Sequence, residues 1–272
     1  MLAWGLGYFG MPQVLLRFMA IRKEKELKAS RRIAIIWVAV SLAAAVFIGI
    51  MGRTLFPTHE VLMTKSGAEN IFITITTSIF NSGALPILAG LIMAGILAAT
   101  ISSSDSYLLI AASAFSKNIY KGVINKKASD KSVMWATRIT VGTIAIIAVL
   151  LALDENSIIF DIVSFAWAGF GATFGPLMLF SLFWKRTTKA GAIAGMISGG
   201  SMVFIWKLLI NPLGAHFGIS ALTIYELLPA FIISCIFIVV VSLLTKEPSD
   251  EVKADFDAVK SGEAEPAVNE NN

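Results

Sequence analysis

Long apolar stretches separated by short polar ones dominate the chain. A run of about 20 apolar residues is long enough to cross the hydrocarbon core of a bilayer as an α-helix. Each of six runs therefore predicts a membrane-spanning helix; they lie at about residues 33–54, 84–116, 133–153, 158–183, 190–210 and 223–245. The pattern predicts an all-α integral membrane protein whose membrane domain covers residues 1–245.

The first 19 residues are also apolar but are interrupted by glycine and proline. Gly5, Gly7, Gly10 and Pro12 break any regular helix there. We interpret this segment as a discontinuous membrane helix, a device that exposes backbone groups near the bilayer midplane; a continuous, glycine-kinked helix is the alternative. The glycine spacing also matches the dinucleotide-binding fingerprint, but no strand precedes it, so we reject a nucleotide site.

The polar segments alternate in charge. Those at 20–32, 117–131 and 184–191 are basic, whereas those at 55–83, 154–157 and 211–222 are poor in Lys and Arg. Because basic loops stay on the cytoplasmic side, the pattern predicts a cytoplasmic C-terminus. Residues 55–83 contain a short amphipathic helix that we place over the outer mouth. The polar residues 246–272 are predicted to form a disordered cytoplasmic tail.

The composition excludes several classes of function. Of the 272 residues, 56% are hydrophobic and 15% are charged, and the net charge of +4 comes from Lys and Arg in short loops, which indicates topology rather than nucleic-acid binding. Cys235 is the only cysteine, so a disulfide framework is excluded. His59 and His216 are interpreted as solvated loop residues. Because no catalytic or ATP-binding motif is present, we expect an ion gradient, rather than an enzyme reaction, to drive the protein.

The predicted span around residues 91–120 carries polar groups at its middle. Asp105 lies among the hydroxyl-bearing residues Thr100, Ser102, Ser103, Ser104 and Ser106. Ionisable groups at membrane depth are costly and normally face an ion path or polar interior. Ser102, Asp105 and Ser106 share one helix face, and Ser103 lies about 100° away. Hard cations prefer such oxygen ligands, so the cluster favours a Na⁺ site over the alternative, close helix packing with hydroxyls bonded to their own backbone.

Two further spans are rich in small residues. Gly191, Gly195 and Gly199 recur every four residues, a pattern typical of close helix packing. The segment 164–176 combines glycines and aromatic residues and ends with Pro176 inside the span. We interpret it as a tightly packed surface, with a hinge or a cavity wall as the alternative. Asp161 lies near the outer end of this span and is expected to face water.

Several of these stretches resemble the sodium:solute symporter family, and within it the sodium/proline branch. The matching stretches cover nearly the whole chain and lie at residues 3–21, 96–121, 163–181, 189–199 and 205–207. The resemblance implies an inverted-repeat fold of two five-helix repeats, of which this chain is similar to the second repeat plus two C-terminal helices. We therefore expect a fragment that needs a complementary N-terminal half.

The resemblance also implies site residues. It assigns Na⁺ to the carbonyl of Ala99 and the hydroxyls of Ser102 and Ser103, and a second sodium site to Asp105 and Ser106. The residues that it assigns to the solute lie on the broken helix and are Trp4, Tyr8 and Pro12. Met11 stands where a glutamine is frequent in the family. No cofactor besides Na⁺ as the coupling ion is implied.

The function implied by the resemblance is Na⁺-coupled symport of L-proline across the cytoplasmic membrane by alternating access. The alternatives are symport of another small solute (pantothenate, a sugar, a sialic acid or another carboxylate) and a non-transporting membrane sensor. The expected partners are Na⁺, the solute, the lipid bilayer and the N-terminal half, with no nucleic acid.

Overall fold

The fold is known from a computed structural model, which describes residues 2–21, 24–58, 64–83, 85–153 and 158–261. The described residues form helices and no strands. The loop at 154–157, the last residues of the tail at 262–272 and His59 lie outside the described part of the chain.

Twelve α-helices occur in the described residues, together with short 3₁₀ and π segments. In chain order they are α1 (Leu2–Gly7), α2 (Pro12–Met19), α3 (Glu24–Leu55), α4 (Lys65–Ala68), α5 (Ile71–Ile79), α6 (Leu85–Ser113), α7 (Asp130–Ala152), α8 (Ile159–Phe183), α9 (Lys189–Ile205), α10 (Asn211–His216), α11 (Leu227–Leu244) and α12 (Asp250–Ser261). The 3₁₀ turns are Tyr8–Gly10 and Ser220–Leu222, and the π-helical segments are Ala114–Ile124 and Trp206–Ile210.

Six helical segments of the described chain are long and apolar enough to span a membrane, as the sequence predicted. They are Glu26–Leu55, Leu85–Ile124, Asp130–Ala152, Ile159–Phe183, Lys189–His216 and Leu227–Leu244. The helix predicted within residues 55–83 is present as α5. The chain is therefore an all-α, multi-pass membrane protein.

The chain divides into two compact units, of which one comprises residues 23–159. In this unit α6 continues into the π segment Ala114–Ile124, which packs against α7. Thr137 donates a hydrogen bond to Ser116 at 2.8 Å, and the hydroxyls of Tyr120 and Ser132 lie 2.7 Å apart. These hydroxyl contacts hold two neighbouring spans together at one end.

The other unit comprises residues 1–22 and 160–272. Its closest helix pair is α9 and α11, and the glycines on α9 face the contact. The Ser234 hydroxyl donates to the carbonyl of Gly195 at 2.9 Å, which satisfies a buried polar group inside the packed pair. Close packing was the predicted role of these glycines and is confirmed. The buried core is formed by Ala168, Ala172, Val203, Leu227 and Ala230.

Two predictions about polar segments were wrong in their extent. The basic loop predicted at 117–131 is helical to Ile124, because Tyr120 and Lys121 find partners on α7: Lys121 pairs with Asp130 at 3.2 Å. The tail predicted to be disordered contains α12, which begins with Asp250 and Glu251 and has Lys260 in its last turn. Acidic groups at the N-terminus and a basic group at the C-terminus complement the helix dipole and stabilise such a helix.

Candidate functional site

The N-terminal segment is a discontinuous helix, and this interpretation of its glycines and proline is confirmed. α1 ends at Gly7, a 3₁₀ turn covers Tyr8–Gly10, and Met11 is extended (φ −81°, ψ 123°) before α2 begins at Pro12. The residue before a proline is driven out of the helical region by the proline ring, whereas proline itself suits the first turn of a helix. The Met11–Pro12 pair therefore sets the position of the break.

Aromatic rings surround the first half of this broken helix. Trp4 stacks on Trp167 with ring centroids 5.0 Å apart and on Phe160 at 5.7 Å. The indole N–H of Trp167 donates to the carbonyl of Trp4 at 3.1 Å, and Tyr8 meets Trp167 edge-on at 4.9 Å. Trp4 and Tyr8, two of the predicted solute residues, thus lie around one tryptophan of α8. Tyr8 remains 53% exposed.

The glycines of the broken helix allow close contact with α8. A Cβ on Gly10 would lie 2.8 Å from both the Gly175 nitrogen and the Phe170 carbonyl oxygen, and one on Gly7 would collide with the Trp167 ring. Real side-chain atoms do not come so near to backbone atoms, so only glycine fits. Two of the three glycines of the fingerprint-like spacing, Gly7 and Gly10, therefore reflect helix packing, whereas a Cβ on Gly5 would meet no atom of the described residues within 4 Å.

The glycine-rich part of α8 has two different faces. One face is buried, as expected for tight packing, and consists of Ser164, Ala168, Gly171, Ala172, Gly175 and Pro176. The other face includes Phe165 and Phe170 and lines an apolar cavity of about 280 Å³, to which α9 contributes Phe204. Both the packing and the cavity-wall interpretations of segment 164–176 therefore describe part of it.

The hydroxyl cluster lies on α6 within the unit of residues 23–159, and its members differ in hydrogen bonding. Thr100 donates to the Ile96 carbonyl at 3.0 Å, and Ser104 donates to the Thr100 carbonyl at 2.9 Å. Both hydroxyls bond to the backbone of their own helix, as the alternative interpretation of close helix packing predicted.

Ser102 and Ser103 behave differently from their neighbours. Within the described residues neither hydroxyl has a hydrogen-bond partner, and both are exposed. Ser106, which belongs to the predicted second site, donates to the Ser102 carbonyl at 3.2 Å. Ala99 lies one turn before Ser102 on the same face, and Asp105 is also exposed. Two of the three residues predicted for the first sodium site thus carry exposed hydroxyls, and the site itself stays a prediction.

The sequence did not single out Trp167 or Phe160 as site residues. Both lie on α8, far from Trp4 in the chain, and only the fold brings the three rings together. The signal that could have found them was the aromatic and glycine-rich segment itself, because stacking rings on neighbouring helices often line a binding surface.

The residues 1–199 match the sodium:solute symporter family. The chain belongs to this family. Its similar curated relatives include the high-affinity proline transporter of Bacillus subtilis (strain 168), which is 42% identical over 254 residues, that is 93% of this chain and 50% of the relative. The sodium/proline symporter of Escherichia coli (strain K12) is 40% identical over 258 residues, 94% of this chain and 49% of the relative.

A third relative is the sodium/proline symporter of Haemophilus influenzae, which is 41% identical over 257 residues, 94% of this chain and 49% of the relative. The chain thus spans about half the length of the curated relatives it matches. No solved structure matches it.

Proposed function

We propose that this symporter-family chain takes part in the Na⁺-coupled uptake of L-proline. The observation that carries the proposal is the pair of free hydroxyls at Ser102 and Ser103 on an apolar spanning helix, in a chain about 40% identical to proteins named sodium/proline symporters. Hydroxyl oxygens supply lone pairs to a desolvated Na⁺, which is a hard cation that prefers oxygen ligands.

In this proposal Na⁺ binds the Ala99 carbonyl and the two hydroxyls, and Asp105 and Ser106 contribute a second sodium site. L-proline binds at the broken helix beside Trp4, Tyr8 and Pro12, where the rings offer an apolar surface to its pyrrolidine ring. Coupling requires that Na⁺ binds one conformation of the transporter better than the other, so that its gradient shifts the equilibrium between them.

We propose that the basic loops and the C-terminus face the cytoplasm of a cell whose cytoplasmic membrane holds the protein. We also propose that transport requires a second polypeptide segment. This segment would correspond to the half of the relatives that this chain does not match. The support is the exposure of Ala99, Ser102 and Ser103, since a Na⁺ shell needs further oxygens from another element.

The test measures Na⁺-dependent uptake of labelled L-proline in cells that lack their own proline uptake. The full chain is expressed together with the unmatched half of the Escherichia coli relative. Ser102→Ala and Ser103→Ala should each raise the Na⁺ concentration for half-maximal uptake about tenfold, which corresponds to about 1.4 kcal/mol of binding free energy. Immunoblots of the membrane fraction check that abundance is unchanged.

Ser104→Ala is the matched control, because Ser104 lies in the same hydroxyl cluster of α6 but belongs to neither proposed sodium site. It should leave the Na⁺ requirement within twofold of the parent. Equal Na⁺ dependence of all three variants would contradict the assignment of the ligands. If the pair takes up no labelled L-proline but shows Na⁺-dependent uptake of labelled pantothenate, a sugar or a sialic acid, the solute assignment is wrong while the sodium site is kept.

A further inference from the structure

The C-terminal helix α12 carries an apolar stripe. Val252, Phe256 and Val259 are spaced by four and three residues, so their side chains share one face of the helix. Val252 and Val259 are 52% and 62% exposed, so the apolar face of this helix is not covered by the rest of the described chain. A disordered polar tail is poor in apolar residues, whereas an exposed apolar face on a helix marks a surface that contacts a partner or a membrane.

The start of α12 is held beside the ends of two spans. α11 ends at Leu244, and only five residues separate it from the start of α12 at Asp250. Arg186, in the turn between α8 and α9, donates to the carbonyls of Ser242 at 2.7 Å and Thr245 at 3.0 Å. Lys185 of the same turn pairs with Asp257 on α12. These contacts place the helix at the level where spans leave the bilayer.

The apolar stripe continues the apolar surface of the spans. A cavity of about 640 Å³ separates α12 from the end of α8, and Leu182 and Phe183 line it opposite Val252, Phe256 and Val259. Phe183 is 79% exposed and belongs to a membrane-spanning segment. Five of the eight lining residues are apolar, and the other three are Ser181, Asp255 and Lys260. A surface of this mixed kind suits the boundary between acyl chains and headgroups.

We propose that α12 is an interfacial helix that lies in the membrane surface with Val252, Phe256 and Val259 toward the acyl chains. Its polar side faces water and the basic turn at Lys185. This is the arrangement of a short amphipathic helix whose apolar face enters the boundary between headgroups and acyl chains. The proposal depends on the six spans and is independent of the proposed transport of proline.

The charges of α12 indicate that apolar burial, rather than attraction to anionic lipid, holds it there. Four acidic residues against two lysines give the helix a net charge of −2; the residues are Asp250, Glu251, Asp255, Asp257, Lys253 and Lys260. An anionic surface repels such a helix. The basic turn of the chain itself offsets this repulsion through Lys185. Binding should therefore persist in vesicles of uncharged lipid.

The experiment uses nitroxide labels on the full chain in phosphatidylcholine vesicles. Cys235 is first replaced (Cys235→Ala), and single cysteines are introduced as Val252→Cys, Val259→Cys and Ala254→Cys. Ala254 is exposed and lies about 160° around the helix from Val252 and about 140° from Val259, so it is the matched control. Power saturation compares collisions of each label with oxygen, which concentrates in lipid, and with a water-soluble nickel chelate.

Labels at 252 and 259 should collide mainly with oxygen, and the label at 254 mainly with the nickel chelate. Equal access of all three labels to the nickel chelate would overturn the proposal, because α12 would then lie in water. Labels at 252 and 259 that are immobile and shielded from both reagents would also overturn it, since the stripe would be covered by a second copy or another protein.

Discussion

Glycines on two spanning helices, α9 and α6, have opposite surroundings. On α9, a Cβ at Gly191 would collide with the Ser242 hydroxyl and lie 2.9 Å from the Ile238 carbonyl oxygen. On α6, a Cβ at Gly90 or Gly95 would meet no atom of the described residues within 4 Å. The same residue type on two apolar helices is therefore required for packing in one and free of contact in the other.

The difference between α9 and α6 shows that small residues in a membrane helix have more than one role. On α9 it lets a neighbouring backbone approach, and the buried hydroxyl of Ser234 completes the contact. On α6 the small side chains leave an open surface on which Ser102 and Ser103 keep their oxygens free. Similar small residues therefore have different surroundings on the two helices, and the proposed ion site lies on the one whose surface is open.

The largest expected difference between the two helices is in the change of unfolding free energy when one methyl group is added to each. Gly199→Ala places a Cβ against the Ala172 carbonyl and 2.9 Å from the Ser234 Cβ, and backbone cannot rotate away. The variant should lose about 2–3 kcal/mol of unfolding free energy. Gly95→Ala should change stability by about 1 kcal/mol or less, in the stabilising direction.

Thermal unfolding in detergent, followed by circular dichroism, measures both variants against the parent. Similar losses for Gly199→Ala and Gly95→Ala would mean that the two helices are packed alike, and the comparison would fail.

A smaller effect is expected for two tyrosines. The Tyr225 hydroxyl donates to the Ser164 carbonyl at 2.6 Å, whereas Tyr107 on α6 is 53% exposed. Tyr225→Phe leaves a carbonyl on a buried face of α8 without its donor and should cost about 1–2 kcal/mol. Tyr107→Phe should stay within about 0.5 kcal/mol of the parent. The same unfolding measurement applies, and equal effects of the two variants would argue against a structural role for Tyr225.

The smallest effect is a dependence on alkaline pH. Burial, and secondarily the negative charge of Glu226, raise the pKa of Tyr225 above its ordinary value of 10.0. A raised pKa in the folded state means that the unfolded state loses its proton first, so stability is fully present below about pH 10 and falls as the pH rises further.

Comparison of the parent with Tyr225→Phe between pH 9 and pH 11.5 isolates this contribution. The difference in unfolding temperature between the two proteins should shrink as the pH rises above 10. A constant difference over this range would show that Tyr225 ionises equally in the folded and unfolded states.

Much of the fold could be predicted from the sequence because the bilayer imposes it. A spanning segment must be apolar and about 20 residues long, and must satisfy its own backbone as a helix, so hydropathy alone located all six spans. The break before Pro12 followed from local sterics in the same way. The helical extent of residues 117–124 was missed because it depends on contacts with α7, such as that of Tyr120 with Ser132. The presence of α12 was missed although its terminal charges favour a helix.

The candidate sites were predictable only in part. The hydroxyl cluster on α6 was visible as a polar insertion in an apolar run, but its division into bonded and free hydroxyls required the structure. Trp167 was not predicted at all, because a single sequence does not say which rings meet across helices.

By itself, then, the sequence determined the number of spans, the position of the broken helix and the residue types available as ion ligands, since each of these follows from local composition and backbone sterics. The tertiary structure alone decided which glycines are packed, which hydroxyls are free and where the apolar stripe of α12 lies. These features depend on the neighbour that each side chain meets, and neighbours are set by contacts between segments far apart in the chain.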